Sequence, residues 1–90
     1  MHIEYDAAKR AQTLQERALD FADAADVFAG PTLDAQDDRA DYGEPRFISM
    51  GDLRGRTVVV VWTPRGEARR IISMRYANER EIARHAKILG

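Results

Sequence analysis

The feature that most constrains this chain is an uninterrupted apolar run, Val58-Val59-Val60-Val61-Trp62. A strand that is apolar on both faces must be covered on both faces, so the run predicts a central strand over residues 57–63. It is far shorter than the roughly 20 residues that a membrane-spanning helix needs. Because glycine tolerates a positive φ, Gly55 and Gly66 predict turns into flanking strands over 46–52 and 68–74.

The other elements follow from apolar periodicity and from residues that begin or end helices. They comprise a strand over 2–5, a helix over about 7–18 after Asp6, a second helix from Asp20 that ends at Gly30-Pro31, a weakly patterned edge strand over 32–36, a charged loop over 37–45 and a helix over 77–89. We therefore expect one α+β domain over residues 1–90, in the order β-α-α-β-β-β-α. Its sheet is expected to be mostly antiparallel, with the helices packed on one face.

Composition excludes several classes of protein. The chain has no cysteine, which rules out disulfide scaffolds and thiol catalysis. Its first residues have neither a cationic nor an apolar segment, so we expect no signal peptide and a cytoplasmic protein. Residues 1–45 carry a net charge of −7 and residues 46–90 a net charge of +6. This asymmetry fits either solvated charges that cluster by chance or a basic face for a phosphate backbone.

A series of short segments runs through almost the whole chain in a characteristic order. It consists of Tyr5-Asp6-Ala7-Ala8-Lys9, Leu19-Asp20-Phe21, Ala24-Ala25, Val27-Phe28, Asp38-Arg39, Asp41-Tyr42-Gly43-Glu44, Arg46-Phe47-Ile48, Gly51, Gly55-Arg56, Thr63, Arg65-Gly66 and Arg70-Ile71-Ile72-Ser73-Met74-Arg75. In this order and spacing the chain resembles the BrnT toxin family. The chain departs from the resemblance at Thr13 and Glu16-Arg17-Ala18, where relatives often carry Asn and Lys-His-Gly, and at Tyr76, where Lys or Arg is common.

The resemblance implies a RelE-like fold and cleavage of RNA that arrests translation. It also implies a tight complex with a BrnA-type antitoxin, whose ribbon-helix-helix portion binds promoter DNA. The toxin would then meet promoter DNA only through that antitoxin, and its own substrate would be RNA, in association with ribosomes or free of them.

RNA cleavage without a metal ion uses the 2′-hydroxyl as nucleophile. It needs a proton acceptor, a proton for the leaving oxygen and stabilisation of charge on phosphorus. Arginine suits the last task because its planar fork binds phosphate through two hydrogen bonds. The catalytic candidates are Arg46, Arg70 and Arg75, with Glu44 as a carboxylate beside Arg46. Strict alternation places Arg70 and Arg75 on opposite faces of a strand, so their convergence requires a bend. The structural alternative pairs these arginines with Glu67 or Glu79.

The candidates for RNA binding are Lys9, Arg69 and Tyr76. Lys9 is equally an exposed helix residue, and Tyr76 is equally a packing residue for the last helix. We expect His85 to be exposed near the end of the last helix rather than catalytic. The acidic residues of 34–44 lack the glycine of a calcium loop, so no metal site and no cofactor are predicted. A solvated loop or a surface for basic residues of an antitoxin fits them better.

Two functional hypotheses remain at this point. The first is a metal-independent endoribonuclease. The second is a domain of the same fold that binds RNA or a partner without cleavage, which the changed Glu16-Arg17 pair and the shortage of obvious bases suggest. A DNA-binding repressor is less favoured because there is no helix-turn-helix pattern and the last helix mixes acids with bases.

Overall fold

The computed structural model describes all 90 residues. In chain order its elements are β1 (His2–Tyr5), α1 (Ala7–Arg17), α2 (Ala24–Ala29), β2 (Thr32–Gln36), β3 (Phe47–Leu53), β4 (Arg56–Arg65), β5 (Ala68–Tyr76) and α3 (Glu79–Leu89). A 3-10 turn over Phe21–Asp23 leads into α2. None of the helices is long and apolar enough to span a membrane.

The five strands form one sheet in the order β1-β5-β4-β3-β2. β1 pairs with β5 in parallel, and the other three pairings are antiparallel. The α+β class, the mostly antiparallel sheet and the place of the valine run in its centre are confirmed. The expected element order was one strand short, because residues 32–36 do form an edge strand and the weak alternation there reflects its exposure at the sheet margin.

The hydrophobic core lies on one side of the sheet, which we call the core face. Phe21, Ala24 and Val27 cover it from the first half of the chain. The strand residues beneath them are Leu53, Val58, Val60, Ile71 and Met74. The predicted apolar stripe of α1 contributes little, since no residue of α1 is buried. That helix is held instead by polar contacts, including the Arg17 guanidinium, whose Nη1 donates to the carbonyl of Met74 at 2.8 Å.

A β-bulge in β5 changes which side chains share a face. Val61 pairs with Ser73 and Trp62 with Ile71, so Ile72 is an extra residue in β5. Ile71 and Met74 consequently both belong to the core although they are three residues apart. Each residue of β5 after Ile72 therefore points to the face opposite to the one that strict alternation predicts.

The third helix lies over the other side of the sheet, which we call the α3 face. Glu81 and Arg84 of α3 line a cavity of about 260 Å³ together with the strand residues Leu33, Ala35, Ile48, Met50, Val59 and Arg75. The expectation that all helices pack on one face is therefore wrong for α3. The physical reason is that Met50 and Val59 are buried apolar residues on that face and need cover. The capping box between Asn78 and Glu81 begins the helix at the point where it crosses the sheet.

Gly51 marks the closest approach of α2 to the sheet, and we expect its replacement by alanine to destabilise the fold. A Cβ on Gly51 would lie 2.9 Å from Cγ1 of Val27 and 3.1 Å from Cγ2 of Thr32. Val27 is fully buried and has no free space to move into, so overpacking should cost about 1–3 kcal/mol. Urea unfolding of Gly51→Ala measures this cost. Gly30→Ala is the control because the nearest atom to its Cβ lies 3.9 Å away, and equal stability losses in the two variants would contradict the expectation.

Candidate functional site

Two of the candidate arginines lie in one row across the α3 face. Thr63 is the partner of Arg70 in the β4–β5 pairing. On the other side of β4, Phe47 pairs with Trp62, so Arg46 continues that register opposite Thr63. The carbonyl of Arg46 accepts a hydrogen bond from the Asp37 amide at 2.8 Å, which fixes its backbone against the edge of the sheet. The Cα atoms of Arg46 and Arg70 are thus about 10 Å apart, two strand spacings, within the reach of two long side chains.

The third arginine, Arg75, shares this face because of the bulge. Arg75 pairs with Val59 in the register and lines the cavity under α3. Without the bulged residue, Arg75 lies four residues along the strand from Arg70, so their Cα atoms are roughly 13 Å apart. The bulge at Ile72, two residues before Met74, thus puts Arg70 and Arg75 on the same face, which strict alternation did not allow. The row between the arginines consists of Ile48, Val61 and Ser73.

Glu44 lies between two guanidinium groups. Its Oε2 is 3.4 Å from Nε of Arg46, and its Oε1 is 3.3 Å from Nη2 of Arg65. The Arg46 guanidinium also stacks on Tyr42, with its Cζ 3.9 Å from the ring centroid. The structure thus brings Glu44 and Arg46 together as predicted and adds Tyr42, which no residue pattern had singled out as a site residue.

The carboxylate partners of Arg70 and Arg75 differ from those expected. Nη1 of Arg70 lies 3.8 Å from Oε1 of Glu4, its neighbour on β1, and not beside Glu67. Nη1 and Nη2 of Arg75 donate to the two oxygens of Glu81 at 2.7 and 2.8 Å, and Glu79 is not involved. The pairing with Glu79 is wrong because the first turn of α3 places residue 81, at the third helical position, towards the sheet.

The loop before β3 carries a further arginine, Arg39. The carboxylate of Glu81 raises the pKa of Arg75, and the nearby positive charge of Arg39 opposes that increase. Arg39 is itself held by Asp37, with its Nε and Nη2 each donating to a carboxylate oxygen at 2.8 Å. The guanidinium of Arg39 lowers the pKa of Asp37 to about 2. Asp37 also donates its amide to the carbonyl of Arg46, so Arg39 is held next to the Arg46 end of the sheet.

The structure does not bring two of the three RNA-binding candidates, Arg69 and Tyr76, to this face. Arg69 lies on the core face, where its guanidinium stacks on Trp62 at 4.3 Å and on Phe28 at 4.4 Å. Tyr76 packs against the core cluster beneath the guanidinium of Arg56. Lys9 is exposed on α1 and borders a cavity of about 200 Å³ between that helix and the bulge of β5.

His85 is less exposed than expected. It is half-buried, and its Nε2 is buried without a hydrogen-bond partner. No group of three or more histidine, cysteine, aspartate or glutamate side chains is arranged to hold a metal ion.

A comparison with protein families identifies the family of the chain. A family model described as a ribonuclease toxin, BrnT, of type II toxin-antitoxin systems matches residues 5–81. The chain belongs to the BrnT family. A search of curated proteins finds no match. The matched range contains β2 to β5 and only Tyr5 of β1, and it includes Arg46, Arg70 and Arg75. Membership of a type II family means that the protein partner of the chain is an antitoxin.

The positions at which α1 departs from the usual BrnT pattern lie beside the bulge of β5, next to Ile72 and Ser73. Ala18 ends α1 with a φ of 57°, in the left-handed region that favours the glycine of relatives. Arg17 bonds the free edge of β5 at Met74, and Thr13 and Glu16 border the cavity beside Lys9. In this member of the BrnT family, these positions form a contact between α1 and β5.

The ion pairs of this face predict a loss of stability in acid. The guanidinium of Arg75 lowers the pKa of Glu81 from its ordinary 4.5 to about 2. Because the folded state holds the carboxylate in its charged form, its stabilising effect is complete above pH 4.5 and is lost between about pH 4.5 and pH 2. Asp37 follows the same sign, since its pKa is also lowered to about 2. We expect the melting temperature to be nearly constant from pH 7 to 5 and to fall below that range.

Thermal unfolding followed by circular dichroism at pH 2–7 measures this dependence. Glu81→Gln is the matched variant because glutamine can keep the capping box while losing the charge. Its melting temperature should change less between pH 5 and pH 2 than that of the unmodified protein. An identical pH dependence in the two proteins would contradict the assignment to Glu81.

Proposed function

We propose that this BrnT-family protein is an endoribonuclease toxin that cleaves RNA at the α3 face without a metal ion. The family match supports the class of reaction. The bulge at Ile72 is the main support for a site on the α3 face, because it puts Arg75 on the same face as Arg46 and Arg70. A phosphodiester laid over Val61 would then meet cationic groups from three directions.

In this mechanism the substrate supplies its own nucleophile, the 2′-hydroxyl. Glu44 takes the proton of that hydroxyl, since it is the carboxylate held beside Arg46. Arg46 and Arg70 bind the non-bridging oxygens and stabilise the charge that develops on phosphorus, and Arg75 adds a third donor. The 2′-oxygen attacks phosphorus, the bond from phosphorus to the 5′-oxygen breaks, and the leaving 5′-oxygen takes a proton from water. The products are a 2′,3′-cyclic phosphate and a free 5′-hydroxyl.

The carboxylates that pair with the arginines indicate the state of the site before RNA binds. Glu4, Glu44 and Glu81 each pair with one of them. A phosphate must replace at least part of these contacts, and such half-exposed pairs are weak enough for exchange, at about 0–1 kcal/mol each. We therefore propose that the free protein is competent to bind RNA at this face.

The cellular setting follows from the family. We propose a RelE-like toxin that acts in the cytoplasm, inhibits translation and growth, and is neutralised by a BrnA-like ribbon-helix-helix antitoxin that carries the complex to promoter DNA. Lys9, Arg69 and Tyr76 remain proposed RNA contacts, which would require RNA to reach beyond the α3 face.

The test is incubation of the pure, partner-free protein with RNA, in the presence and in the absence of ribosomes. We expect cleavage that persists with excess EDTA and leaves 2′,3′-cyclic phosphate ends. Cleavage that EDTA abolishes and magnesium restores would refute the metal-free mechanism.

A second candidate function is binding without cleavage. The observation that favours it is that each of the three arginines already holds a carboxylate, with distances from 2.7 to 3.8 Å. Intact RNA after prolonged incubation of folded protein, together with measurable RNA binding, would favour this second function. A catalytically inactive but growth-inhibiting protein would also favour it.

A further inference from the structure

Tyr42 has an unusual relation to one of the proposed catalytic groups. The Cζ atom of Arg46 lies 3.9 Å from the centroid of the Tyr42 ring, which is the distance of a direct cation–π stack. Both residues border a cavity of about 430 Å³ formed by the loop before β3. The stack covers one flat side of the guanidinium and leaves its N–H edge available, so it restricts orientation without using a donor.

The ring is in turn anchored by a buried carboxylate. The Tyr42 hydroxyl donates to Oδ2 of Asp37 at 3.3 Å. The Asp37 side chain is fully inaccessible to solvent, and it also accepts two hydrogen bonds from the Arg39 side chain and one from the Arg39 amide at 3.2 Å. The Asp37 amide donates to the carbonyl of Arg46 itself. Asp37 therefore connects the backbone of Arg46 with the ring that supports its guanidinium.

We propose that Tyr42 is a positioning residue for Arg46 in RNA cleavage, with Asp37 as the anchor of its ring. This inference rests on the proposed function of Arg46. An unsupported arginine on this edge of the sheet samples several rotamers, and only some of them direct its fork over Val61. The Tyr42 ring covers one side of the guanidinium, and Oε2 of Glu44 lies 3.4 Å from its Nε. Together these contacts select one orientation of the guanidinium before substrate binds. Tyr42 itself makes no bond to the phosphate.

The experiment combines a kinetic cycle with a spectroscopic measurement. Tyr42→Leu removes the ring, Tyr42→Phe keeps the ring and removes only the bond to Asp37, and Arg46→Gln removes the supported group. Arg56→Gln is the control, because it breaks an equivalent stack of 3.7 Å on Tyr76, on the core face. The kcat and KM for a short RNA are measured for each variant and for the double variant Tyr42→Leu/Arg46→Gln.

We expect Tyr42→Leu to lower kcat about tenfold with little change in KM, and Tyr42→Phe to stay within about threefold of the unmodified protein. In the Arg46→Gln background, Tyr42→Leu should have no further effect, because a residue that acts through Arg46 has nothing left to position. An equal loss in both backgrounds would show that Tyr42 acts on RNA directly and would overturn the inference. So would an unchanged kcat in Tyr42→Leu.

The NMR signal of the Arg46 Nε–H group tests positioning without any cleavage. A proton held against the face of a ring is shifted upfield, so we expect a displaced Arg46 signal in the unmodified protein and in Tyr42→Phe, and a normal one in Tyr42→Leu. An undisplaced signal in the unmodified protein refutes the stack, whether or not the leucine variant folds. A displaced signal in a protein that does not cleave RNA refutes the proposed function and, with it, the role of Tyr42 in cleavage, while leaving the stack itself established.

Discussion

Replacing Arg70 with alanine should lower the rate of RNA cleavage about 10²- to 10³-fold. Arg70 lies in the row that contains Arg46 and Thr63, on the face where we place the phosphate. Its only charged partner is Glu4 at 3.8 Å, with both side chains about one-third exposed, so the loss of this pair should change stability by no more than about 1 kcal/mol. Single-turnover cleavage of a labelled RNA, together with thermal unfolding, measures both effects.

The neighbouring residue supplies a matched control for this experiment. Arg69 precedes Arg70 in the same strand but points to the core face, where it stacks on Trp62 and Phe28. The lost stacking in Arg69→Ala should cost about 0.5–2 kcal/mol of stability. Because Arg69 is proposed to contact RNA but not the reacting phosphate, Arg69→Ala should raise the RNA concentration needed for saturation and retain the rate of cleavage at saturating RNA. The opposite pattern, with cleavage lost in Arg69→Ala and kept in Arg70→Ala, would place the site on the core face and refute the assignment.

Replacing Arg75 with alanine should also lower cleavage about 10²- to 10³-fold, which corresponds to roughly 3–4 kcal/mol of transition-state stabilisation. The competing explanation is that Arg75 only fixes α3 through its two bonds to Glu81. A half-exposed pair of this kind contributes about 0–1 kcal/mol to stability, so a purely structural role would leave cleavage and growth inhibition nearly intact. The variant should stay folded and should still bind its antitoxin.

Two further variants separate the explanations for Arg75. Arg75→Lys keeps the charge and loses the planar fork, so it should recover only part of the rate if the fork binds phosphate. Glu81→Gln breaks the same ion pair from the other side and should retain cleavage. If Glu81→Gln is as inactive as Arg75→Ala, the pair serves to hold the helix, and Arg75 is not a catalytic residue.

Local sequence patterns were sufficient for most of the secondary structure. The valine run with a glycine turn at each end predicted three central strands because strand burial and turn geometry are local properties. Gly30-Pro31 predicted the end of the second helix for the same reason. The weak pattern of residues 32–36 understated a real strand, because an exposed edge strand does not need the alternation of a buried one.

The candidate site was predictable by residue type and only in part by position. Phosphate chemistry favours arginine, so Arg46, Arg70 and Arg75 were named from the sequence and do lie on one face. Tyr42 and Arg39 were missed as site residues. Their one signal was the concentration of charged and aromatic residues in the loop over 37–45, which does not say where that loop folds.

The sequence by itself thus determined the elements, the buried strands and the kind of side chain available for chemistry, because these depend on periodicity and residue chemistry. Only the tertiary structure decided which side chains share a face. The extra residue Ile72 reverses the alternation after it, so Arg75 joins Arg70 instead of opposing it. The crossing of α3 to the second face gives Arg75 the partner Glu81, and the folding of the loop gives Arg46 the ring of Tyr42. Each of these contacts depends on the pairing register of the strands and on packing across the sheet. A shift of the register by one residue would change all of them, and sequence periodicity does not reveal such a shift.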